Sequence, residues 1–208
     1  MRRHWRDEFD VWSSPILANL LWILVSIPLL TMPLALVGLL AVMFHWVDDR
    51  RTQVFSIFFN TIRQTWHKCY MLLALDLLVG GFLILNVLIF LEMDITQWLP
   101  RISLGATIFT LFIFLMANIL AWVLIAVWDA PFKRIVTFAI RLVFVNPFWT
   151  VITGGCAILP FLFSLVLPAA VFVTVTGALA AAIAARGTHY LMRTYLPESQ
   201  YTLLDVSG

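Results

Sequence analysis

Few residues in this chain could do chemistry, and the most telling is a single carboxylate. Asp76 interrupts the apolar run from Tyr70 to Leu91 and is the only acidic residue inside such a run. An ionisable group within a membrane-crossing segment points by default to a proton or ion relay. The competing reading puts it close to the interface, accepting hydrogen bonds or pairing with a nearby Arg or Lys. Asn19, Asn86 and Asn118 lie in apolar runs as well. Such amides either cross-link helices, at about 1 kcal/mol each, or line a polar cavity. Thr31 lies between Pro28 and Pro33. A chain break there could present free carbonyls to a ligand or ion, or it could be only a turn. Asp76, Asn19, Thr31, Asn86 and Asn118 together form the candidate polar or transport site.

The remaining reactive residues form no recognisable set. His4, His45, His67 and His189 match no zinc-ligand spacing. Cys69 and Cys156 lie on different segments without a CxxC pair and read as packing residues. No nucleophile elbow, HExxH helix or phosphate-binding lysine loop occurs. The expectation is a non-enzymatic protein with no cofactor and no metal. A net charge of +2 gives no reason to expect nucleic acid.

Those residues must be carried by helices in lipid. Of 208 residues, 62% are hydrophobic and 12% charged, against about a quarter charged in soluble domains. So little polar surface could not cover a soluble fold. Strict alternation over about ten residues, the mark of a barrel strand, is missing. The expected fold is all-α: a single polytopic membrane bundle of about six hydrophobic helices. The expected spans are 12–27, 33–47, 70–91, 102–128, 147–163 and 168–185. The first two come from one run, Pro15 to Val47, which as a straight helix would be roughly 50 Å long. Pro28 and Pro33 are expected to break it into a hairpin. Its second arm looks short for a span, so a full crossing and a re-entrant loop both fit. The last span is expected to close at Arg186-Gly187. Its Gly177-Ala178-Leu179-Ala180 face would suit close helix packing or a homodimer.

Loop charges set the orientation. Arg2, Arg3 and Arg6 precede the first run. Arg50, Arg51, Arg63 and Lys68 lie in the 48–69 connection, and Lys133, Arg134 and Arg141 in 129–144. Both termini are therefore expected in the cytoplasm, with the tail 196–208 as a surface extension and no cleaved signal peptide. Two cytoplasmic amphipathic helices are expected at the interface, over 54–66 and 131–143. They supply the candidate docking residues Phe58, Ile62, Arg63, Gln64, Trp66, Lys133 and Arg134. Trp12, Trp46, Trp98, Trp128 and Trp149 fall near expected span ends, as an aromatic belt would. The order span, Trp followed closely by Asp, basic amphipathic helix, span occurs at Trp46-Val47-Asp48 and again at Trp128-Asp129. That order hints at a parallel internal repeat.

The stretch Asn19-Leu20-Leu21-Trp22, continuing through Ser26, Pro28 and Thr31, resembles the signature of the bacterial YesL-like membrane proteins. Phe58-Phe59-Asn60-Thr61-Ile62-Arg63-Gln64 is similar to that family's F-K-x-N-F-K-Q, with Phe59, Thr61 and Ile62 departing from it. The likeness covers roughly residues 12–75. It implies a multi-pass protein of the bacterial inner membrane, encoded near sugar-import ABC transporters, with no catalytic residues to transfer. An accessory role in carbohydrate uptake, with a sugar ABC transporter permease as partner, is the expectation. A small secondary transporter using the broken first segment and Asp76 is the alternative.

Overall fold

The computed structural model describes residues 2–49, 53–92, 98–164 and 175–195, and these are almost entirely helical. The expected tail extension and the turn before Pro168 fall outside them. Helix α1 (Arg2–Ser26) begins well upstream of the expected Trp12. A short 3-10 turn, Leu29–Thr31, then leads into α2 (Met32–Asp49). The proline break therefore forms where it was expected. Pro33 occupies the first turn of α2, where its missing N–H costs nothing.

Carbonyls at the break have hydrogen-bond partners within the chain. The Thr31 hydroxyl lies within hydrogen-bond reach of both Val25 O and Pro28 O. Tyr70 Oη donates to Leu30 O at 3.1 Å. Carbonyls freed by the prolines thus have partners inside the chain, as backbone in lipid requires. The short arm is also not the expected one. The α2 stretch is long and apolar enough to cross a membrane over Leu29–Val47, whereas the apolar part of α1 is only Ser13–Ser26.

The main departure lies in the next segment. Helix α3 (Val54–Leu75) continues through a π-turn (Asp76–Gly80) into α4 (Gly81–Glu92) as one 39-residue rod. At 1.5 Å per residue the rod is roughly 58 Å long. The expected interfacial helix 54–66 and the expected span 70–91 are halves of this rod, so the first cannot lie flat while the second crosses. No proline or glycine stands between Val54 and Asp76 to turn the chain.

Helix α5 (Trp98–Val127) runs back alongside the rod. The sequence Trp128-Asp129-Ala130-Pro131 turns the corner into α6 (Phe132–Val145), and Lys68 on the rod pairs with Asp129 at 3.4 Å. Trp128 is buried against Phe138 rather than placed in a belt. Asn146 leaves the helical region (φ −137°, ψ 68°), and its Oδ1 accepts from the Trp149 N–H, capping α7 (Pro147–Ser164). The residue before a proline is pushed out of the helical region, and α6 and α7 meet at 108°. Here a separate amphipathic helix does form. Because one amphipathic stretch is straight with the apolar helix that follows and the other sharply bent from it, the stretches after Asp48 and Asp129 do not share a geometry.

Helix α8 (Gly177–Tyr195) runs on through Arg186-Gly187, where the sequence pointed to an end. Gly187 is a packing position: a Cβ there would strike Thr153 of α7. The small-residue face of Gly177, Ala178, Ala181, Ala184 and Ala185 is buried within the chain, where α8 packs on α2 and α7. It is therefore not available to a second copy.

Three helices of the described residues are long and apolar enough to cross a membrane: Leu29–Val47, Val54–Glu92 and Trp98–Val127. The bent α6–α7 pair would be a fourth. Six were expected; part of the sixth falls outside the described residues. Exposed Leu77, Leu78, Phe82, Leu85, Ile102 and Phe109 cover the outer half of the rod and of α5. Water would penalise such a continuous apolar surface.

Gly177 provides a direct test of this packing. Its Cβ in Gly177→Ala would meet Asn19 Oδ1 and come 2.8 Å from the Trp22 ring. Thermal unfolding in detergent is expected to show a loss of about 1–3 kcal/mol. Gly155→Ala, whose Cβ would meet nothing within 4 Å, should unfold at or above the wild-type temperature.

Candidate functional site

Asp76 opens the π-turn of the rod. A π-turn inserts one residue into the helix, shifts the side chains that follow and often marks a functional position. Opposite it, Asn118 and Trp122 stand one helical turn apart on α5 and therefore share a face. The Asn118 amide donates to Asp76 Oδ1 at 2.7 Å. The Trp122 indole N–H donates to the same carboxylate. This places Asp76 and Asn118, two of the five candidate polar residues, in one cluster. Trp122 completes it and had no distinguishing mark in the sequence, being one of nine tryptophans.

The cluster borders a small cleft of about 50 Å³ between the rod, α5 and α6. Val136, Ala139 and Ile140 of α6 form its cover, and the other side is Leu72, Leu75 and Phe114. Asn118 Oδ1 is buried and has no hydrogen-bond partner among the described residues. The amide is thus oriented by the carboxylate, at the cost of its own oxygen. Gly80 lets Phe114 approach to 3.1 Å of where a Cβ would stand, closing the same helix pair just beyond the cluster.

The remaining candidates lie elsewhere. Asn19 is fully buried, and its Oδ1 accepts from the Ala178 N–H at 3.0 Å, tying α1 to α8. Asn86 donates to Phe82 O one turn back on its own helix, at an exposed position. Thr31 closes its own turn. These five residues do not converge on one cavity. Among the candidate docking residues, Phe58 is fully buried, its ring 2.8 Å from where a Cβ on Gly38 would stand. Phe58 therefore cannot contact a partner, and Ile62 packs partly against the core. Arg63, Gln64 and Trp66 are exposed on α3, as are Lys133 and Arg134 on α6.

A second, larger cavity of about 190 Å³ lies between α1, α2, α5, α7 and α8. Its walls are apolar and include the rings of Trp22 and Trp122. Trp122 therefore touches both features, with its N–H on Asp76 and its ring in the larger cavity.

Residues 16–87, about a third of the chain, match the family described as Protein of unknown function, DUF624. The match covers the α1–α2 hairpin and most of the rod, including Asp76, but stops short of Asn118 and Trp122. No curated protein and no solved structure matches the chain.

Removing the shared acceptor tests the cluster. Asp76→Ala would leave both the Asn118 and Trp122 donors unpaired, with an expected loss of about 1–3 kcal/mol. Asp76→Asn keeps an acceptor oxygen and should unfold between wild type and Asp76→Ala. Equal melting temperatures for all three proteins in the same detergent would show that the cluster does not hold the helices.

Proposed function

We propose that this chain is a non-enzymatic, multi-pass protein of the bacterial inner membrane that docks a membrane partner through its surface helix α6. The observation carrying this reading is the outward face of α6. Lys133, Arg134 and Arg141 are exposed there beside exposed Ile140 and Phe144. No acidic residue occurs from Pro131 to Ser164. A helix turned 108° from its neighbour, with cations and apolar residues interleaved, suits a headgroup layer or a partner's cytoplasmic rim. The exposed Arg63, Gln64 and Trp66 of α3 offer a second contact. Positive charge on these segments supports cytoplasmic termini.

The resemblance to the YesL-like proteins extends this reading to an accessory role in carbohydrate uptake, with a sugar ABC transporter permease as the partner. Affinity purification of the tagged full-length protein should recover the cognate permease in stoichiometric amount. Lys133→Gln, Arg134→Gln and Arg141→Gln together should lower recovery by tenfold or more at low salt, at about 1 kcal/mol per cation. A clean preparation lacking permease would end the accessory reading.

A second reading, a small transporter or channel, has one observation in its favour: a carboxylate at a π-turn inside an apolar rod. Against it stand the separate hydrogen-bonding roles of Asn19, Thr31 and Asn86 and the apolar walls of the larger cavity. Solute flux into proteoliposomes that disappears in Asp76→Asn would favour transport. Flux unchanged by that variant would remove Asp76 from any mechanism.

A further inference from the structure

The cavity beside Trp22 has a shape and chemistry that the docking role does not use. Its floor is made of small side chains, Ala180, Ala181 and Ala184 of α8 with Ala157 of α7, where larger residues would have filled the space. At about 190 Å³ it exceeds the engineered apolar cavity of about 150 Å³ that stays dry and takes up benzene. Ile158 and Phe161 on its wall are 44% and 40% exposed, so the cavity reaches the outer surface of α7. That surface is apolar, with Leu159, Leu162 and Phe163 also exposed.

One wall residue is not purely apolar. The indole nitrogen of Trp22 is buried and has no hydrogen-bond partner among the described residues. A buried donor without an acceptor is costly, and a ligand carrying an oxygen would relieve that cost. Trp22 stands one turn before the end of α1 at Ser26, within the apolar part of that helix, Ser13–Ser26.

We propose that this cavity binds one acyl chain of a membrane phospholipid, with an ester carbonyl of that lipid accepting the Trp22 N–H. The apolar walls take the methylenes, and the open side toward α7 admits the chain from the bilayer. A phospholipid is the occupant favoured here because its chains form the solvent around these helices, and its ester oxygens supply the acceptor Trp22 lacks. The bound chain would lie on the face of Trp122, whose N–H holds Asp76, so occupancy and the Asp76 cluster share a side chain.

Native mass spectrometry of the full-length protein released from phosphatidylglycerol nanodiscs tests this. The wild type should keep one phospholipid at collision energies that strip peripheral lipid. Ala181→Leu and, independently, Ala157→Leu fill the cavity and should lose that lipid while keeping a wild-type circular dichroism spectrum. Trp22→Phe keeps the ring without the donor and should lower retention several-fold. Equal retention in wild type and whichever filled variant remains folded overturns the proposal. So does retention of added oleate in place of phospholipid, or absence of a tightly held lipid in the wild type. Permease recovery plays no part in the readout, so failure here leaves the docking role standing.

Discussion

Two hydrogen bonds to one carboxylate set the relation between the longest elements of the fold. Asn118 and Trp122 reach Asp76 from a single face of α5. In an apolar surrounding no water competes for these donors, so a register shift between α5 and the rod would strand all three polar groups. Apolar packing on either side would tolerate such a slip, because Leu, Phe and Ile fill one another's places. The polar knot therefore supplies specificity, and the Leu- and Phe-rich surfaces supply contact area. The π-turn belongs to the same arrangement. It begins at Asp76 and ends at Gly80, against which Phe114 closes.

A comparable logic holds the other half of the bundle. Asn19 crosses from α1 to accept the Ala178 N–H of α8. Thr31 and Tyr70 satisfy the carbonyls opened by the proline break. Close approach then depends on missing side chains: Gly38 over Phe58, Gly177 over Asn19 and Trp22, Gly187 over Thr153. The same small residues that bring α8 against α2 and α7 leave the space beside Trp22 incompletely filled.

Much of the fold could be read from the sequence because prolines and apolar runs act locally. The hairpin at Pro28–Pro33 and the separate α6 before Asn146-Pro147 follow from backbone restrictions that need no tertiary information. Asp76 and Asn118 were recognisable as polar groups in apolar runs, but their meeting was not, since it depends on how two long helices align. Trp122 could not be singled out, because a tryptophan's donor becomes functional only when an acceptor faces it. Phe58 was misassigned for a related reason. Helical spacing identifies an apolar stripe but not whether that stripe faces a partner, lipid or the protein's own core. Gly187 shows the same ambiguity, as glycine serves both helix ends and close contacts.

The two amphipathic segments show what periodicity leaves open. Over 54–66 and 131–143 the apolar residues recur at helical spacing and cations flank them. Yet the first continues straight into an apolar helix, and the second turns by 108°. Only the second is followed by an Asn-Pro pair that cannot stay helical. Apolar length is ambiguous in the same way. The apolar window of α2 is 56% buried inside the protein, whereas that of the rod is 11% buried. Residues Val37 and Leu39 to Phe44 meet α1, α3, α5 and α8 and would be apolar in any core. Among the described residues, Leu77 to Leu91 meet little besides α5, and a lipid solvent would account for their apolarity. The rod and α5, more than the α1–α2 hairpin, are therefore the elements whose exposed apolar surface fits a lipid surrounding.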